Sequence, residues 1–145
     1  MAMLDLFRLM INKKASDLFV TVGIPPSLKV DGQILPVKTD SLSAQAAREL
    51  AFSLMDESQR QSFEADKDTN FAVNPESLGR FRVNVFQQQG QVGMVVRRIS
   101  SHIPSFGELN LPSPILEKIA LMRRGLVFFV GGTGTGKSST QAAVI

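Results

Sequence analysis

Eight consecutive residues, Gly131-Gly132-Thr133-Gly134-Thr135-Gly136-Lys137-Ser138, restrict this chain more than any other stretch. Glycines at four of the first six positions let the backbone curl where other residues would strain it. Leu126-Val127-Phe128-Phe129-Val130, just before, is apolar at every position. Such a run predicts a strand covered on both faces in a parallel sheet. A strand, a G-x-x-x-x-G-K-S loop and a following helix together define a phosphate-binding P-loop.

The chemistry follows from the residue types. Gly131, Gly132, Gly134 and Gly136 allow successive N–H groups to point inward at phosphate oxygens, aided by the positive end of the next helix. Thr133 and Thr135 add loop donors, Lys137 neutralises the β- and γ-phosphates, Ser138 offers a hydroxyl to Mg2+, and Ser139 completes the nucleotide-binding set. The expected ligands are ATP and Mg2+. A hydrolase also needs an acidic strand end for magnesium and a group to position water. Only Ser139 to Ile145 follow the loop, about two turns of helix. The expectation is a piece of a longer ATPase that alone binds nucleotide poorly and hydrolyses none.

Upstream, the chain alternates helical and strand patterns. Met3, Leu6, Phe7, Met10 and Ile11 recur at helical spacing, and Asn12-Lys13-Lys14 follows as a cationic end. Leu18 to Val22 reads as a strand stopped by Gly23 and Pro25-Pro26. Asp31-Gly32 between Leu28-Lys29-Val30 and Ile34-Leu35-Pro36-Val37 signals a two-residue hairpin. Ser43 caps a helix with the stripe Ala47, Leu50, Ala51 and Leu54, and Asp56 caps a shorter one containing Phe63. Phe71 and Val73 open a strand that breaks at Asn74-Pro75. This order predicts an α+β domain with helices against an antiparallel sheet.

Arg80 to Ile99 permits a register argument. With Gln89-Gly90 as the turn, paired residue numbers sum to 179, so Val83 faces Val96, Val85 faces Met94 and Gln87 faces Val92. The opposite face pairs Arg82 with Arg97. Two guanidinium groups across a ladder repel unless an anion or carboxylate lies between them. Arg82 and Arg97 therefore read either as a phosphate or carboxylate clamp, or as two side chains extended separately into solvent.

Pro104, Gly107 and Pro112 mark a connector, after which Ser113 caps a helix with Pro114 at its first position. Its expected buried stripe is Ile115, Leu116, Ile119 and Met122, closed by Arg123, Arg124 and Gly125. Charge divides along the chain: residues 1–78 hold 8 basic and 11 acidic side chains, and residues 79–145 hold 8 and 2. The basic half surrounds the P-loop. Zero cysteines exclude disulfides and thiolate metal sites, and one histidine cannot build a histidine-rich site. No apolar run approaches the roughly 20 residues of a membrane span, which gives the expectation of a soluble cytoplasmic protein. Basic residues lack the interleaved exposed aromatics of a single-strand channel, so no nucleic acid is expected.

With these motifs located, the chain resembles the type IV pilus retraction ATPases, the PilT/PilU group of secretion-type hexameric motors, and within it most the accessory PilU-like branch. The carriers are Ala15-Ser16-Asp17-Leu18-Phe19-Val20, Gly23 to Gly32, Gly79-Arg80-Phe81-Arg82-Val83-Asn84, Gly93 to Ile99, and Arg124 through Ser138. The resemblance implies a PAS-like N-terminal domain over 1–101, a linker over 102–112, and the start of an α/β RecA-like ATPase domain over 113–145. It implies a homo-hexameric ring at the inner-membrane base of the pilus machine, working with a paralogous retraction ATPase and a membrane platform protein. It also implies that arginines at the positions of Arg82 and Arg97 reach nucleotide at an interdomain or intersubunit interface, which favours the clamp. Two departures stand out. Phe19 replaces the histidine usual after Ser-Asp-Leu in the principal motor, and Gly132 stands where relatives more often carry Ala or Pro. The rival readings are a pilus-assembly or type II secretion ATPase of the same superfamily and a non-enzymatic, partner-binding PAS-like module. The absence of cysteine and of a long N-terminal extension argues against the first, and intact Lys137 and Ser138 argue against the second.

Overall fold

The structure is a computed structural model that describes residues 2–100, 102–132 and 135–145. It divides into two compact units, Met1–Ser100 and Ser101–Ile145. In the first unit, helix α1 (Met3–Asn12) buries Met3, Leu6, Phe7 and Met10. The Asp5 carboxylate accepts the Ala2 N–H at 3.1 Å at its start. At its end Lys14 turns left-handed (φ 52°), and the Lys14 and Ala15 N–H groups reach the Ile11 and Met10 carbonyls. These two bonds satisfy carbonyls the helix would otherwise leave open.

Six strands form one antiparallel sheet: β1 (Asp17–Val20), β2 (Ser27–Val30), β3 (Gln33–Pro36), β4 (Asp68–Val73), β5 (Arg80–Gln88) and β6 (Gln91–Ile99), in the order β3-β2-β1-β6-β5-β4. The expected strand over residues 18–22 stops at Val20. Asp31 and Gly32 (φ 49° and 83°) turn β2 into β3, and Gln89 and Gly90 (φ 52° and 76°) turn β5 into β6. Positive φ at both central residues matches the right-handed twist of the flanking strands. The β5–β6 register pairs Val83 with Val96, Val85 with Met94 and Arg82 with Arg97, as the turn position required.

Helices α2 (Ala44–Phe52) and α3 (Glu57–Asp66) follow the first three strands. Ser43 Oγ accepts from the Ala46 N–H at 3.1 Å, and the Asp56 carboxylate accepts from the Gln59 N–H at 2.8 Å. Both caps match the sequence reading, although α3 is not the shorter helix. Helix α2 packs on β6, α3 on β4 and α1 on β1, all against one sheet face. There Leu18, Val20, Leu28, Phe81, Val83, Val85, Met94 and Val96 join the helix side chains in one core. The Phe7 and Phe81 rings lie 4.5 Å apart at its centre. A single 3-10 turn, Pro75–Ser77, links β4 to β5, and Arg8 pairs with Glu76 across 2.8 Å.

The second unit holds α4 (Ser113–Ala120) and α5 (Lys137–Val144). Three expectations change here. Ser113 lies inside α4, behind an N-cap at Pro112, and makes no capping bond. The buried stripe shrinks to Leu116 with half-buried Ile119, while Ile115 and Met122 are exposed and the helix closes before Arg123. Residues 126–130 form no strand, and Val130 is 90% exposed. An apolar run becomes a strand only when a neighbour takes up its N–H and C=O groups, and the described residues of this unit contain no other strand.

Candidate functional site

Two constellations carry chemistry, one in each unit. The first lies on the sheet face opposite the core. Registers align Lys29 of β2, Asp17 of β1, Arg97 of β6 and Arg82 of β5 in one row across four strands. Strand alternation puts these residues opposite Leu18, Val83 and Val96. The Arg97 Nε–H donates to Asp17 Oδ1 at 2.8 Å, and the Ser16 hydroxyl donates to Asp17 Oδ2 at 2.8 Å. The Asp17 side chain is 7% exposed, whereas that of Arg97 is 70% exposed.

Burial opposes the Asp17 charge. The Arg97 and Ser16 hydrogen bonds and the charges of Arg97 and Lys29 outweigh it, holding the carboxyl below its ordinary range. The carboxylate that the facing arginines called for thus exists, but it flanks Arg97 instead of lying between the pair. Arg82 has no ion-pair partner among the described residues. Asn70 and Asn84 line a shallow pocket with Arg82, Val95 and Arg97. The Asn84 amide donates to Asp68 at 3.0 Å.

Asp17 is the residue the sequence reading missed. Its role depends on β1 pairing with β6, a contact between strands some 80 residues apart that no local turn signal announces. The one available sign was an acidic residue opening an otherwise apolar strand.

The second constellation is the glycine loop. Gly136 is left-handed (φ 89°) and leads directly into α5. A Cβ on Gly131 would stand 2.7 Å from Thr135 Oγ1, so a side chain there would displace the Thr135 hydroxyl. The Thr135 hydroxyl donates to the Gly132 carbonyl at 2.8 Å, and the Lys137 ammonium turns back onto the same carbonyl. Ser138 is exposed and Ser139 half-buried, both in the first turn of α5. Thr133 and Gly134, two of the expected loop residues, lie outside the described residues. The others fit a nucleotide phosphate and its magnesium: open backbone at Gly136, an ammonium turned back onto the Gly132 carbonyl, and a hydroxyl at a helix start.

No protein-family model matches the chain. It is 51% identical over 140 residues, 97% of its length, to the type IV pilus ATPase PilU of Pseudomonas aeruginosa. It is 35% identical over 131 residues, 90% of its length, to the type IV pilus retraction ATPase PilT of the same organism. These matches span 36% and 38% of the relatives' own length. A crystal structure of the pilus retraction motor PilT with bound ADP matches with a TM-score of 0.83 at 36% identity, over 99% of this chain and 42% of that one. The ATPase DotB of Legionella pneumophila matches with a TM-score of 0.74 at 26% identity, over 98% and 40%.

The six-stranded sheet with helices on one face defines the N-terminal portion of PilT- and DotB-type ATPases. Over nearly its whole length the chain is similar to members of the PilT/PilU group of type IV pilus ATPases, of whose own length it spans little more than a third.

Proposed function

We propose that this chain is the nucleotide-gripping N-terminal portion of a hexameric ATPase that powers type IV pilus retraction and twitching motility. The observation that carries the reading is the glycine-rich segment itself, with Gly136 left-handed at the start of α5 and the Lys137 ammonium turned back onto the Gly132 carbonyl. Identity of 51% to PilU along nearly the whole chain supports the motor assignment. The 35% identity to a twitching motility protein of Neisseria gonorrhoeae supports it further.

On this reading residues 1–101 form the PAS-like domain, 102–112 the linker, and 113–145 the opening of the RecA-like domain. Lys137 would exchange the Gly132 carbonyl for β- and γ-phosphate oxygens, and Ser138 would hold the nucleotide's Mg2+. Bound there, the magnesium would supply charge neutralisation at the transferring phosphoryl group. Arg82 and Arg97 close on phosphate presented at a subunit boundary of the ring, where developing negative charge meets preorganised donors. The motor sits in the cytoplasm against the inner membrane, beside a paralogous ATPase and the platform protein. Among the described residues no helix is long and apolar enough to cross a membrane.

The test uses the full-length ATPase that carries this chain. Lys137→Ala should abolish measurable ATP binding and turnover, and Arg82→Gln or Arg97→Gln should lower turnover about a hundredfold, as loss of one transition-state donor does. Unchanged turnover in both arginine variants rejects the clamp, and unchanged ATP binding by Lys137→Ala rejects the nucleotide reading. The DotB likeness favours one second reading, the same ATPase chemistry applied to secretion. Deleting the gene distinguishes them: lost twitching with intact secretion supports retraction, and the reverse supports the rival.

A further inference from the structure

The geometry points to Asp17 as the positioning residue of the arginine pair: it fixes Arg97 through Nε, relieves its repulsion from Arg82, and leaves its outer nitrogens to grip an anion. This rests on the reading of Arg82 and Arg97 as a phosphate clamp and explains how such a clamp can be built.

A guanidinium carries five N–H donors in a planar fork. Asp17 Oδ1 takes only the donor on Nε, at 2.8 Å, and Asp17 Oδ2 is occupied by the Ser16 hydroxyl at 2.8 Å. No hydrogen bond of the Arg97 terminal nitrogens occurs among the described residues. The Nη edge, which matches the spacing of two phosphate oxygens, therefore stays available. Exposure agrees with this division, because the anchor is buried under its partners and the fork stands in solvent. A guanidinium held at Nε also surrenders less side-chain freedom when an anion arrives.

Charge explains why the anchor must be a carboxylate. Arg82 and Arg97 are directly opposed in the β5–β6 ladder, and like charges at that position are destabilising. Asp17 is the direct neighbour of Arg97 on the other side, in the β1–β6 ladder. It cancels one positive charge, so the row presents a net cation without two uncompensated guanidiniums side by side. Lys29, opposite Asp17 on β2, adds a weaker pull in the same direction as Arg97 from the far side.

The experiment combines two measurements. In the 145-residue chain, the Arg97 Nε–H resonance is followed by NMR in the parent and in Asp17→Asn, with the amide spectrum of the first unit reporting that the sheet is intact. The charge-free isostere should move that resonance and speed its solvent exchange about tenfold, consistent with a lost charge-assisted bond. In the full-length ATPase, turnover is measured for Asp17→Asn, Asp17→Ala, Arg82→Gln, Arg97→Gln and the double variant Asp17→Ala/Arg97→Gln.

Asp17→Ala should lower kcat about tenfold with little change in KM, since a displaced fork weakens transition-state contacts more than ground-state binding. Asp17→Asn should fall between Asp17→Ala and the parent. The double variant should be no slower than Arg97→Gln, because Asp17 acts only through Arg97. A double variant slower than Arg97→Gln, or an unmoved Nε–H resonance, overturns the positioning role while leaving the clamp intact. Normal turnover in Arg97→Gln with reduced turnover in Arg82→Gln also overturns it, since Arg82 then grips alone. Normal turnover in both arginine variants removes the clamp itself.

Discussion

Burial works against a charge on Asp17, but the hydrogen bonds from Arg97 and Ser16 and the charges of Arg97 and Lys29 win, so its carboxyl titrates below the ordinary range. A group whose folded value is depressed contributes stability that is fully present above its unfolded value, about 3.9. That contribution is lost as pH falls through the lower folded value. Asp17→Asn should therefore flatten the acid limb of the first unit's stability, leaving a smaller loss as pH falls below about 4 than in the parent. Urea midpoints of the two proteins across that range check it, and parallel acid limbs would contradict it. Glu64 also titrates low, through the Arg48 hydrogen bond and then Lys67, so part of the slope remains in the variant. Residue identity alone carries the P-loop reading, because glycines, lysine and serine at fixed spacing have few other uses. It did not reveal Asp17, whose meaning comes from the strand beside it.

At the scale of elements, legibility followed the range of the interaction that sets each one. The β5–β6 hairpin was readable to the residue, because a two-residue turn fixes register and register fixes every facing pair. Caps at Ser43 and Asp56 were equally local. Helix α4 was less so: its stripe was read from spacing, yet only Leu116 is buried, since spacing says which residues share a face and not whether anything covers it. The same reason removes the strand over residues 126–130. The β5–β6 turn also yields a prediction. Gln89 is held at φ 52°, a left-handed conformation that asparagine tolerates better than glutamine. Gln89→Asn should stabilise the first unit by about 0.5 kcal/mol with no change in register. Thermal unfolding measures the gain, and a lowered midpoint would count against the turn as described.

For the whole molecule, the distribution of buried apolar surface decides how the chain opens. Every residue of the main core, from Met3 to Val96, lies in the first unit. The second unit buries Leu116 but leaves Leu126, Phe128 and Val130 at 75% exposure or more. Segments with few buried contacts and open backbone groups exchange amide protons through small local fluctuations, whereas core strands exchange only when the unit unfolds. Hydrogen exchange of the 145-residue chain should accordingly show peptides within residues 81–86 and 92–97 protected longest, and residues 126–132 exchanged at the first time point. Phe7→Ala sharpens the test. It removes a fully buried ring whose centroid lies 4.5 Å from that of the tilted Phe81 ring, a loss worth about 3–5 kcal/mol. Where exchange follows the opening equilibrium, that is a hundred- to several-thousandfold acceleration. The acceleration should be confined to the first unit, because Phe7 and Phe81 share their core with no residue beyond Val96. If protection also fell at residues 113–120, the two units would be opening as one cooperative body and the separate cores would not be separate in energy.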